Sequence, residues 1–237
     1  MYKGIFNKRI NENGEKPHHF FCYFLYMTKD NKRTHSVHVT LASSNHTDAK
    51  RSDNDFYATP PSATKKLLEL EKFSEKIWEP CCGMGHIAKE LENDGYDVRK
   101  TDIVDYGYEG CLFGEQYDFL KLKNMFDGDI ITNPPYGLAT EFAEHAMDII
   151  TDGHKVAMFL KIQFLETQKR YELFKKYPPK TIYVSVRRYG CRSDGDFSQG
   201  ESTSAVCYCW FVWEKGFKGD PVIKWFNHCD DKSYGLW

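Results

Sequence analysis

The chain has no apolar run long enough to cross a bilayer: the longest near the N-terminus, residues 20–27 (FFCYFLYM), is far shorter than a span requires. The same run is followed, after Thr28, by Lys29 and Asp30 and lacks the small-residue cleavage pattern of a secretory signal, so a cytoplasmic protein without a membrane partner is expected. Zinc-type spacing is missing too. The eight cysteines are scattered, with no CxxC…CxxC or Cys/His pattern, which argues against a metal site and for reduced, mostly structural thiols. Strong charge of one sign is lacking: the net charge is −2, which does not advertise nucleic-acid binding. Repeats and low-complexity tracts are absent, so neither a solenoid nor a disordered chain is indicated.

What the 237 residues do contain is enough to bury a full core, in one α/β domain with an appendage. Residues 1–50 are aromatic-rich, and the alternation Val37, Val39, Leu41 predicts the second arm of a small N-terminal β-hairpin. The polar, aperiodic residues 43–55 form a linker, and the main domain spans 51–237. A helix begins at Ser62 after two prolines, with Leu67, Leu68 and Leu70 on one face. Beyond it, strand-like pieces (KIWEP, DVRKTDI, DIITNP, KVAMFLK, TIYVSVRRY, AVCYCWFVWEK) alternate with helical patterns over 86–93, 140–150 and 167–176. That alternation predicts a mostly parallel sheet with helices on both faces, and ligands beyond the carboxyl ends of the strands.

The segment WEPCCGMGHIAKEL reads as strand, tight turn and helix. Gly83 and Gly85 permit positive φ and close approach of a ligand. Roughly 20 residues on, a second strand ends in Asp102, where a carboxylate can accept the hydroxyls of a ribose. The missing third glycine argues against a dinucleotide. A ligand with a ribose and no pyrophosphate fits, and S-adenosylmethionine is the obvious one. The Pro80-Cys81 pair imitates the nucleophile of cytosine-carbon methylation, but a cysteine inside the glycine turn is wrongly placed for that attack.

The stretch DIITNPPYGL carries the chemistry. An exocyclic amine on a purine is a poor nucleophile because its lone pair is delocalised into the ring. Two acceptors on its N–H groups draw the nitrogen toward tetrahedral geometry. Asn133 offers a side-chain oxygen and Pro134 a carbonyl, while Pro134 and Pro135 remove donors and fix the backbone. Tyr136 offers a flat ring on which an extruded base can stack. No metal is required; preorganised acceptors suffice.

These motifs resemble the Asn/Asp-Pro-Pro-Tyr/Phe amino-methyltransferases, and among them the adenine-N6 DNA methyltransferases, over about residues 55–214. The order, with no long insert between glycine loop and NPPY, is similar to the gamma class. The resemblance implies a Rossmann-like class I methyltransferase fold with a seven-stranded sheet and S-adenosylmethionine as cofactor. It implies that Tyr57, Thr59 and Pro60 line the methionine end, that Glu79, Pro80, Gly83 and Gly85 form the glycine loop, and that Asp102 holds the ribose. Asp118 would hold the cofactor's adenine amine and Phe119 would pack on that ring, with Asn133, Pro134, Pro135 and Tyr136 catalytic.

That class usually carries a large recognition domain after its catalytic half. Here recognition would fall to the N-terminal hairpin and the polar loop 187–203, flanked by Arg187, Arg188 and Arg192, or to a separate subunit or homodimer partner. Residues 155–192 hold ten basic residues against Glu166 and Glu172, a local charge of +8, which reads equally as a phosphate track or a solvated face. DNA is the expected partner, RNA a lesser one. Alternatives are methylation of an RNA adenine or a protein glutamine amide, since the clamp suits any planar NH₂, or a catalytically inactive nucleic-acid-binding module.

Overall fold

The computed structural model describes residues 56–227. The expected N-terminal hairpin lies outside them. The first helix, α1 (Pro61–Leu70), starts with proline at its first position, where a missing N–H costs nothing, and buries Ala63, Thr64, Leu67 and Leu68. Then follow β1 (Lys76–Glu79), α2 (His86–Asn93), β2 (Asp97–Asp102), the two-residue β3 (Leu112–Phe113), β4 (Asp129–Thr132) and α3 (Ala139–Ile149). The chain continues through β5 (Lys155–Lys161), α4 (Gln168–Lys176), β6 (Thr181–Ser185), β7 (Tyr208–Glu214) and β8 (Val222–Phe226).

The strands form one sheet in the order β3-β2-β1-β4-β5-β7-β6-β8. Neighbours are parallel except β7, which runs antiparallel between β5 and β6. Each face buries its own half of the central strands. Val156, Met158 and Leu160 of β5 and Cys209, Phe211 and Trp213 of β7 join α3 and α4 on one side. Ala157, Phe159, Trp210 and Val212 join α1 and α2 on the other. Because both faces are covered, these strands read as continuous apolar runs, as the sequence pattern implied. Cys207 and Cys209 pack on the same face, as their alternation requires.

The sheet has eight strands, against the seven expected. The extra one, β8, pairs in parallel with β6 at the sheet edge and is exposed at four of its five residues. Its ladder is backbone-driven, so it left little periodic signal. Strand β3 is too short to leave one. Among the described residues no helix is long and apolar enough to span a membrane.

The strand order reverses between β1 and β4. The loops after β1, β2 and β4 leave the sheet from the same end, so the glycine turn, Asp102 and NPPY converge there.

Candidate functional site

These loops enclose a cleft of about 1010 Å³, open solvent at its mouth included. Tyr57, Thr59, Glu79, Pro80, Asp102, Asp118, Phe119, Asn133, Pro134 and Pro135 all line it. Pro60 does not reach the cleft; its carbonyl accepts the Ala63 N–H (2.9 Å) and turns the chain into α1.

The glycine turn takes the expected positive φ, but neither Gly83 nor Gly85 is among the residues lining the cleft. Gly83 and Gly85 sit at φ +54° and +79°, a region costly for any residue with a Cβ. A Cβ at Gly83 would overlap the ring of Phe56, and one at Gly85 the ring of Tyr108. The Gly83 N–H donates to Asp102 Oδ2 (2.8 Å), and the Val104 N–H donates to Oδ1 (3.0 Å). Asp102 is thus held side-on to the cleft with lone pairs to spare. Burial raises its pKa, against the backbone donors that lower it.

Glu79 is almost fully buried, and its Oε2 has no hydrogen-bond partner among the described residues. Desolvation pushes its carboxyl well above the usual range, despite a hydrogen bond from the Ala88 N–H. The same burial raises the thiol of Cys81 strongly. A thiol held protonated is a poor nucleophile.

Asp118 caps the short turn that follows it, accepting from the Leu120 N–H (3.2 Å), and pairs with Lys121 (2.9 Å). Phe119 lines the cleft but is only 2% exposed. Its ring stacks on Phe142 at 5.0 Å and meets Trp78 edge-on at 5.2 Å, so most of its surface already belongs to the core.

Asn133 is fixed by its nitrogen. Nδ2 donates to the Tyr57 carbonyl (2.8 Å) and to Thr59 Oγ1 (3.0 Å). A backbone carbonyl only accepts, so this bond sets which end of the amide is nitrogen. The opposite end, Oδ1, is buried and has no partner among the described residues. A buried acceptor left empty costs stability, typically ~1–3 kcal/mol, unless a ligand fills it. The Tyr57–Thr59 segment therefore aims the Asn133 oxygen.

Tyr136 is not among the residues lining this cleft. It lies near-parallel to Tyr57 (centroids 6.0 Å apart) and close to Tyr208 (5.9 Å). Lys161 Nζ sits 4.7 Å from its ring centroid, and its hydroxyl donates to Cys191 Sγ (3.9 Å). Burial holds the Tyr136 phenol well above its ordinary pKa, so it stays neutral.

The loop after β6 is tied to the glycine-turn side of the cleft. Ala58 and Arg192 exchange backbone hydrogen bonds (2.8 and 3.2 Å). His86 Nε2 donates to the Gly195 carbonyl (2.8 Å), and the Ser62 N–H and hydroxyl both donate to Glu201, the former at 2.9 Å. Arg192 makes a bidentate pair with Asp194 (2.9 and 3.0 Å), and Arg188 donates to the Ala205 carbonyl (3.0 Å). Arg187 is half-buried behind β6, its N–H donating to Ser185 Oγ (3.3 Å). None of the three arginines lines the cleft.

The +8 segment is largely neutralised in space. Lys155, Lys169, Lys175, Lys176 and Lys180 pair with Glu71, Glu141, Glu172, Glu144 and Glu214 respectively. With the Arg192–Asp194 pair, six of its ten basic residues carry a carboxylate partner.

Sequence reasoning missed Phe56 and Tyr106, whose rings stack at 4.7 Å in the cleft wall, and also His86, Leu138 and Phe142. Proximity to the recognised motifs was the available signal: Phe56 adjoins Tyr57, and Tyr106 follows Asp102 by four residues.

The open, mostly parallel α/β sheet is similar to that of solved structures of low identity. No protein-family profile matches the chain, and no curated protein sequence matches it. Solved structures do. One is a Listeria monocytogenes protein provisionally assigned to the class I S-adenosylmethionine-dependent methyltransferases. It has 16% identity and a TM-score of 0.50, with coverage of 79% of this chain and 69% of that one. Another is a Lactococcus lactis protein provisionally described as a hemolysin. It has 11% identity and a TM-score of 0.50, with coverage of 69% and 91%. At such identities the likeness establishes architecture alone.

Proposed function

We propose that residues 51–237 form an S-adenosylmethionine-dependent methyltransferase acting on the N6 amino group of adenine in DNA. The observation that carries the reading is the Asn133 amide, anchored through its nitrogen while its buried oxygen awaits a donor.

The residues present fit the cofactor. Asp102 can accept ribose hydroxyls, and the unpartnered Oε2 of buried Glu79 can accept from a donor in the cleft. Asp118 stands with Phe119 at the wall where an adenine ring would lie. When bound, S-adenosylmethionine supplies an electrophilic methyl group. The chain's own contribution is to hold the substrate nitrogen. Asn133 Oδ1 accepts one N–H of the amine and the Pro134 carbonyl accepts the other. The two bonds withdraw the nitrogen lone pair from the ring and turn it toward the cleft. Both acceptors sit on a rigid turn, so little reorganisation accompanies reaction. Tyr136, neutral and half-buried, supplies a stacking face for the base. The positive charge the nitrogen gains is relieved by loss of a proton to solvent.

The preference for adenine in DNA rests on the motif order, with the Tyr57–Pro61 element (YATPP) upstream of the glycine turn. Labelled methyl transfer offered in parallel to DNA, RNA and protein tests it. Label should enter DNA and appear as N6-methyladenine. Incorporation only into RNA or a glutamine amide would move the substrate, and incorporation into none of the three would remove the enzyme reading.

A further inference from the structure

Lys161 is the last residue of β5, the strand beside β4, whose end delivers Asn133. Its ammonium stands over the Tyr136 ring, 4.7 Å from the centroid. Six basic residues of the same segment are paired with carboxylates, and Arg170 is spent over Phe164 and on the Gln163 carbonyl (2.9 Å). Lys161 has no carboxylate partner among the described residues. The titratable groups around it offer no anion either. Burial pushes the Cys191 thiol up to about 12 and raises the phenols of Tyr136 and Tyr208, so all three are neutral at physiological pH. A cation is therefore held against the ring on which a target base would stack.

We infer that Lys161 is a substrate-anchoring residue: its ammonium covers Tyr136 in the free protein, moves aside when a base stacks there, and binds a backbone phosphate of the strand carrying that base. This rests on the reading of the site as an adenine amino-methyltransferase. A phosphate is the fitting acceptor because a lysine ammonium is a mobile point charge without a fixed donor fork, and every nucleotide presents a phosphate close to its base. The exchange substitutes one weak partner, the ring, for a full anion. It also restricts access to the Tyr136 face, since a planar amide without a nearby phosphate has nothing to draw the ammonium away.

The test is steady-state methylation of a DNA oligonucleotide by the full chain, with Lys161→Met and Lys161→Arg compared across a salt series. The expected result for Lys161→Met is a KM for DNA raised about 10-fold, with kcat within about threefold. The slope of log KM against log salt should fall in magnitude by about 1, as for loss of one phosphate contact. Lys161→Arg should restore KM and slope, and affinity for S-adenosylmethionine should be unchanged in both. Should Lys161→Met melt early, Lys161→Gln carries the same comparison. An unchanged DNA KM and slope, or a loss confined to kcat, would overturn the phosphate role while leaving the methyltransferase reading intact. A wild-type chain that methylates no nucleic acid would overturn both.

Discussion

At the scale of single residues, the cleft is organised by polar atoms whose partners are only half supplied. Asp102 keeps two backbone donors and still faces the cleft. Replacing it with alanine should weaken binding of S-adenosylmethionine about 10- to 100-fold, the loss of charged hydrogen bonds to a ribose, and should also lower the melting temperature because the Gly83 and Val104 N–H groups lose their acceptor; calorimetric titration of the folded protein reads the binding loss directly. His86 allows a pH prediction. Burial lowers its pKa below the ordinary value, so the folded state favours the neutral ring that donates to Gly195. The unfolded chain then binds more protons between the folded pKa and about 6.5, and stability rises with pH across that window. The contribution is full above about 6.5 and is lost as the pH falls through the folded pKa. Urea midpoints at pH 5.5 and 7.5 should diverge more for the wild type than for His86→Gln.

At the scale of elements, the sequence carried much of the outcome. The helix over 86–93 was legible to the residue because Gly85 sits in the left-handed region before it and its apolar positions face one side. The patterns at 140–150 and 167–176 settle one residue away, at Ala139–Ile149 and Gln168–Lys176. What periodicity could not show was β8, which owes its existence to pairing with β6 rather than to burial. Nor could it show that Phe119 would be claimed mostly by Trp78 and Phe142, since core packing and site lining look alike in one dimension. Strand β4 illustrates how an element joins fold to site. At its start, buried Asp129 accepts from the N–H groups of Ser74 (2.5 Å) and Lys155 (2.7 Å) and contacts His154 (3.2 Å). At its end stands Asn133. Asp129→Ala strips half-buried donors of their acceptor and should cost about 1–3 kcal/mol by urea denaturation, while the folded fraction keeps its affinity for S-adenosylmethionine.

Over the whole molecule, charge read along the chain and charge placed in space differ. Residues 155–192 read equally as a phosphate track or a solvated face, yet four of their ten cations are matched by acids from distant elements: Lys155 by Glu71, Lys169 by Glu141, Lys176 by Glu144 and Asp148, Lys180 by Glu214. Sequence shows a local sum but not which helix lies alongside. Accordingly, replacing Lys169, Lys175 and Lys176 together by methionine should change the KM for DNA less than about twofold, in contrast to Lys161.

The same logic separates Asn133 from its setting. The Tyr57 carbonyl and Thr59 hydroxyl orient its amide, and Asp102 lines the same cleft. The measurement that bears most directly on this arrangement is the single-turnover rate of methyl transfer to DNA by Asn133→Ala, saturated with S-adenosylmethionine. The acceptor reading predicts a rate about 100- to 1000-fold below wild type with cofactor affinity retained. A variant that methylates DNA at the wild-type rate would contradict it.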